Sequence, residues 1–118
     1  MGADGLFLAL GFTTSGGEMV AQWCQGASVF KAFNQTGFES MKRAERFSPK
    51  AAMFVAGDDQ SKKSTVLKLV ETIGFEAFDA GALKNARLLK PLAMLWIEMV
   101  MKGRMDRDRA FTLTRASN

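Results

Sequence analysis

Ala51-Ala52-Met53-Phe54-Val55-Ala56-Gly57-Asp58-Asp59 is the stretch that decides the fold. Its apolar run suits a pleated surface and closes on a glycine and two aspartates, residues that begin helices well. The spacing of Val66, Leu67, Val70 and Ile73 then predicts a helix with one apolar stripe, ended by Gly74. Phe75 to Asp79 returns as a further strand. Residues 51 to 79 thus make a strand, a helix and a strand of the length that a right-handed parallel crossover needs.

Upstream, Thr14-Ser15-Gly16-Gly17-Glu18 holds a Ser-x-x-Glu capping box, which predicts a helix from near Gly16 to near Gly26. Met19, Val20 and Trp23 share one face of it. Ala27 to Phe33 reads as the first strand, broken by Asn34-Gln35-Thr36-Gly37. A short helix from Phe38 to Arg46 follows, before Pro49. Downstream, Leu83 to Lys102 predicts one long helix, or two joined at Pro91, with Gly103 as the stop. Leu92-Ala93-Met94-Leu95-Trp96-Ile97 is apolar on all sides, so this helix is either packed on the sheet or used in an interface. Ala110 to Leu113 is a candidate short strand, and residues 114–118 are expected to be a disordered tail.

The alternation of helix and strand places the chain among α/β folds: three or four mostly parallel strands with helices and a long apolar carboxyl-terminal helix. At 118 residues it is read as one domain. No apolar run reaches the ~20 residues that span a bilayer. Leu6 to Leu10 has no basic flank and no signal-peptidase site, so a cytoplasmic protein is expected.

Chemistry is constrained mostly by what is missing. There is one cysteine, Cys24, and no histidine. A disulfide framework, a Cys/His zinc site and imidazole-based nucleophilic catalysis are therefore excluded. Cys24 itself reads as a small buried hydrophobe. The net charge of +4 is spread along the chain, and in residues 102–109 the basic residues alternate with aspartates, so nucleic acid is not an expected partner.

In open parallel sheets, ligands collect beyond the carboxyl ends of the strands. One such end, Ala32-Phe33-Asn34-Gln35-Thr36-Gly37, carries an amide and a hydroxyl beside a flexible glycine, or is simply a turn capped by asparagine. Gly57-Asp58-Asp59 is better explained as a helix cap than as a catalytic or metal-binding pair. Gly11 to Gly17 lacks the order of a phosphate-cradling loop and has no P-loop lysine.

Val29-Phe30-Lys31-Ala32-Phe33-Asn34, Met53 to Asp59, Gly74-Phe75-Glu76-Ala77-Phe78-Asp79-Ala80-Gly81 and Leu83 to Ala93, in that order, resemble the deazaflavin-dependent NADP reductase family of dinucleotide-binding oxidoreductases. The cytosolic reductase domain of the six-transmembrane metalloreductases is similar. The resemblance covers residues 11 to 113 and implies a Rossmann-like unit that works with NADP. Hydride would pass directly between nicotinamide and a deazaflavin or flavin ring, chemistry that the cofactors themselves supply. By the same resemblance, Ala32, Phe33 and Asn34 lie beside the nicotinamide, and Arg109 and Ala110 lie near the second ring. No catalytic side chain and no metal are implied.

The family's first half carries the glycine fingerprint for pyrophosphate and the serine/arginine pair for the 2′-phosphate, and neither occurs here. The chain opens about where the family is midway. It is therefore expected to be the carboxyl-terminal half of such an enzyme, with weak or absent cofactor binding and no catalysis on its own. Uncovered apolar surface favours association, so a homodimer through Leu92 to Ile97 is expected, and a non-enzymatic assembly module is the alternative function.

Overall fold

Helix α1 (Gly16–Trp23) begins at the expected capping box. The Glu18 amide donates to Ser15 Oγ at 3.2 Å, and that hydroxyl donates to the Glu18 carboxylate at 2.8 Å. The structure is a computed structural model that describes residues 9 and 11–117. The apolar run Leu6 to Leu10, apart from Ala9, and Asn118 lie outside the described residues. After α1 come β1 (Phe30–Lys31), α2 (Phe38–Lys42), a 3-10 turn at Ala44–Arg46 and β2 (Ala52–Gly57). They are followed by α3 (Gln60–Ile73), β3 (Glu76–Asp79), a second 3-10 turn at Leu83–Asn85 and α4 (Ala86–Met101).

β2, α3 and β3 form the unit that the central stretch predicts. Asp59 caps α3 by accepting the Lys62 amide at 3.2 Å. Gly74 ends it at φ +121°, a conformation that a side chain would oppose, and the turn lets Phe75 plunge into the core. β2 and β3 pair in parallel, from Ala52 opposite Glu76 to Val55 opposite Asp79.

The other edge differs from expectation. The sheet has the order β1-β2-β3, but β1 runs antiparallel to β2, with Phe30 opposite Gly57 and Lys31 opposite Ala56. The expectation of mostly parallel strands thus holds for only one of the two pairings. The cause lies in the connection. Buried Gln35 donates its amide to the Ala52 carbonyl at 2.9 Å, which fixes the exit of β1 beside the entry of β2. The five-residue α2 covers only about 8 Å. The connection, this helix and a 3-10 turn, does not run back along the sheet, and the chain re-enters from the end at which it left.

β1 is also shorter than Ala27 to Phe33, because Phe33 turns to φ +56° and Ser28 is drawn to Asp59. Ala110 to Leu113 does not form a ladder. It crosses the entry of β2, where Ala52 N–H donates to the Phe111 carbonyl at 2.8 Å and Thr112 Oγ1 donates to the Lys50 carbonyl at 2.9 Å. Residues 114–117 are exposed and take no regular structure.

The core packs Met53 and Val55 of β2 against Val70 of α3, Phe75, Ala44 and Ala51. On α4, Ala86, Leu89, Ala93 and Trp96 are buried, and the helix runs unbroken through Pro91. Its opposite side leaves Leu88 69% and Leu95 53% exposed. Cys24 is exposed rather than buried, because α1 ends in solvent and Trp23 beside it is 71% exposed.

Candidate functional site

At the exit of β1, Ala32 and Phe33 pack on the core and are half-buried. Phe33 is the single non-glycine residue with positive φ among those described. A bulky side chain there strains the backbone, and such strain collects at functional turns. The conformation is held from two sides: Phe33 N–H donates to Met53 Sδ at 3.1 Å, and its ring meets the edge of Phe75 at 6.1 Å. The Asn34 side-chain amide donates to the Leu89 carbonyl, so it fastens α4 to the strand exit. Gln35 Oε1, Thr36 Oγ1 and Ser40 Oγ are buried without hydrogen-bond partners, which concentrates unsatisfied polarity on this turn.

Because β1 is antiparallel, this exit does not share an end of the sheet with Gly57-Asp58-Asp59. The aspartates do structural work instead. Asp58 accepts the Leu83 amide at 2.9 Å, while Asp59 holds Ser28 and caps α3. Hydrogen bonds from the Ser28 and Ser61 hydroxyls, with the Lys62 amide, draw the Asp59 carboxyl down to about 2. Among the described residues no three His, Cys, Asp or Glu side chains gather as metal ligands.

A groove of about 690 Å³ opens between α1, β1 and the start of α4, lined by Val20, Trp23, Phe30, Lys31, Arg87 and Lys90 among others. Arg87 is tied to Glu18 by a bidentate pair, at 2.9 and 2.7 Å. That guanidinium, with help from Ser15, holds the Glu18 carboxyl below its ordinary range. Lys31 and Lys90 make no ion pair with a described residue. Partial burial, and then the charge of Lys90, push the Lys31 ammonium below the usual lysine range. The Gly11 to Gly17 loop does not fit a phosphate, because Glu18 places a carboxylate at the start of α1 and its partner Ser15 is buried.

Arg109 and Ala110 line a separate cavity of about 350 Å³ with Phe47, Ala51, Trp96 and Met99. The Arg109 side chain is exposed and lies 3.6 Å from Asp106, while its carbonyl accepts the Trp96 indole N–H at 2.9 Å. Ala32, Phe33 and Asn34 line neither of these two cavities. Ala32, Phe33 and Ala110 all pack against the same core cluster, and Gln35 and Phe111 both bond to Ala52, so the chain beside each group of candidate residues is fixed at the entry of β2.

Sequence reasoning did not find the pairing of Lys63 with Asp79, nor that of Arg87 with Glu18. A signal for Lys63 was present, since it falls three residues before Val66 and seven before Val70, on the inward stripe of α3. For Arg87 none was, because its partner is 69 residues away.

No family model matches the chain, and no match was found among curated proteins. Among solved structures, the chain is similar to a protein from Arthrobacter sp. FB24 provisionally named an F420-dependent NADP reductase, with a TM-score of 0.82 and 25% identity. The match takes in 92% of this chain and 50% of that one, so the chain spans about half the length of its structural relative. Among the described residues no helix is long and apolar enough to cross a membrane. The likeness bears out the resemblance carried by the strand ends: this is a mixed α/β, Rossmann-like unit similar to the carboxyl-terminal half of a deazaflavin-dependent NADP reductase.

Proposed function

We propose that this chain is the nicotinamide-side portion of an NADP-dependent oxidoreductase that passes hydride between nicotinamide and a deazaflavin or flavin, and that it is inactive until a phosphate-binding half joins it. The likeness over nearly the whole chain to half of a protein named as such a reductase carries this reading. The strained backbone at Phe33 supports it, because it sits at the strand end that the resemblance assigns to the nicotinamide. There the half-buried backbone of Ala32, Phe33 and Asn34 would bound the ring. When bound, the cofactors supply the hydride chemistry, and this chain positions rings and excludes water. Arg109 and Ala110, on the smaller cavity, are assigned to the second ring. The phosphates are assigned elsewhere, because Glu18 occupies the one loop resembling a cradle. The enzyme is placed in the cytoplasm. Titration of NADPH into the purified chain should give no micromolar binding; micromolar binding would overturn the division of labour.

A second reading, a homodimeric assembly module, draws on α4, where Leu88 and Leu95 remain exposed on one face and Ile97 is 38% exposed. Light scattering across a concentration series should show a dimer that Leu95→Glu dissociates. A strictly monomeric chain would remove this reading.

A further inference from the structure

We propose that residues 104–109 form a hinged flap over the cavity of about 350 Å³ that Arg109 and Ala110 line, latched by Arg107 on Glu39 and by Asp108 on Arg46, and that its opening admits the cavity's ligand. What enters, a deazaflavin or flavin ring, rests on the function proposed above. The movement does not, and the experiment reads the two separately.

The walls of the cavity differ in how they are held. Phe47, Pro49, Ala51 and Trp96 belong to the body of the fold, whereas Met105, Asp108 and Arg109 belong to the flap. Among the described residues, the backbone of residues 105–108 makes no hydrogen bond to that body. Side chains hold it instead. Arg107 meets the Glu39 carboxylate through Nε at 2.9 Å and Nη2 at 3.1 Å, and Arg46 Nη2 meets Asp108 at 2.5 Å. Arg107 also lies over the Trp96 ring, 5.9 Å from its centroid, and the Trp96 indole N–H donates to the Arg109 carbonyl at 2.9 Å.

The two edges of the flap are built differently. Just past α4, Gly103 stands at φ +68°, and a Cβ there would meet no heavy atom within 4 Å, so the chain leaves the helix through an unpacked joint. At the other edge the chain is pinned, because Ala110 packs on the core and the Phe111 carbonyl accepts the Ala52 amide. Salt weakens exposed ion pairs by screening them and affects a buried backbone bond much less. The flap can therefore lift while the sheet stays closed. The latch also bears on the strained turn: a Cβ on Gly37 would lie 2.7 Å from Glu39 Oε2 and 3.4 Å from Arg107 Nη2. The flap thus closes onto the segment that follows Asn34.

The test uses the full chain carrying Trp23→Phe, which leaves Trp96 as its one tryptophan. Trp96 is 5% exposed with the flap shut. In Glu39→Gln and in Arg107→Gln its indole N–H should exchange about fivefold faster, the scale of an exposed bidentate pair, with acrylamide quenching raised and circular dichroism unchanged. About 1 M potassium chloride should do the same to the parent by screening. The Ala52 amide should keep its exchange rate throughout. Glu39→Arg combined with Arg107→Glu should restore the parent's values, and Arg87→Gln, which breaks the bidentate pair with Glu18, should leave Trp96 unmoved. Unchanged Trp96 exchange in both latch variants overturns the proposal. So does Ala52 exchange that rises with that of Trp96, because the segment then leaves without a hinge at Ala110. Riboflavin is the probe for what enters, and stopped flow should show it binding faster to the latch variants than to the parent. Equal binding rates overturn the gating. A flap that opens while riboflavin does not bind supports the movement and removes the second ring from this cavity.

Discussion

Lys63 Nζ lies 2.9 Å from Asp79 Oδ1 and 2.9 Å from the Gly81 carbonyl oxygen, with the lysine side chain only 2% exposed. The contact ties α3 to the end of β3, and Gly81 N–H completes it by donating to the same carboxylate at 2.8 Å. These hydrogen bonds, led by that from Lys63, hold the Asp79 carboxyl below its ordinary range. Lys63→Met keeps the apolar stem but forfeits the charged hydrogen bonds. It should destabilise the fold by about 2 kcal/mol, the scale for hydrogen bonds to charged groups. Urea denaturation checks this, and an unchanged midpoint would mean that the pair is incidental.

Gly57 is required by proximity. A Cβ built on it would lie 2.2 Å from Phe30 Cδ1, so the ring and the added methyl cannot share the space. Gly57→Ala should cost about 1–3 kcal/mol, the range for overpacking. Adding Phe30→Leu should recover part of that loss, read as non-additivity in a double-mutant cycle of melting temperatures.

Asp59 gives a pH signature. Its folded carboxyl is drawn from 3.8 to about 2, first by the Ser28 hydroxyl. A depressed carboxylate stabilises the fold above its unfolded value, and the contribution disappears as pH falls through the folded value. Ser28→Ala should therefore be less stable than the parent at pH 7, and the gap should close between about pH 4 and pH 2. Carboxyl titration by NMR should show Asp59 moving upward in the variant. A gap that stays constant through that range would contradict the linkage.

Asn34→Ala tests the bond to the Leu89 carbonyl. Loss of one hydrogen bond of this kind should lower stability by about 1 kcal/mol and loosen α4 against the strand exit. Thermal melts give the first value, and deuterium exchange along Ala86–Met101 gives the second.

The amino-acid sequence by itself determined the helix beginnings at Ser15 and Asp59, the stop at Gly74 and the β2, α3, β3 unit. Caps, stripes and glycine stops act over three or four residues, so they are written where they act. It also carried the resemblance to the deazaflavin-dependent NADP reductases, which the likeness in fold bears out. Tertiary structure alone decided the direction of β1, the failure of Ala110 to Leu113 to form a strand and the exposure of Cys24. Strand direction depends on where the connecting segment brings the chain back, and here Gln35 bonds to the carbonyl of Ala52, 17 residues further on, at the entry of β2. The candidate site divides in the same way. The sequence pointed to Ala32, Phe33 and Asn34, but only the folded chain strained Phe33, engaged Asn34 with α4 and set Arg109 and Ala110 on a cavity that those three do not line. Those outcomes depend on contacts between residues far apart in the chain, which local patterns do not encode.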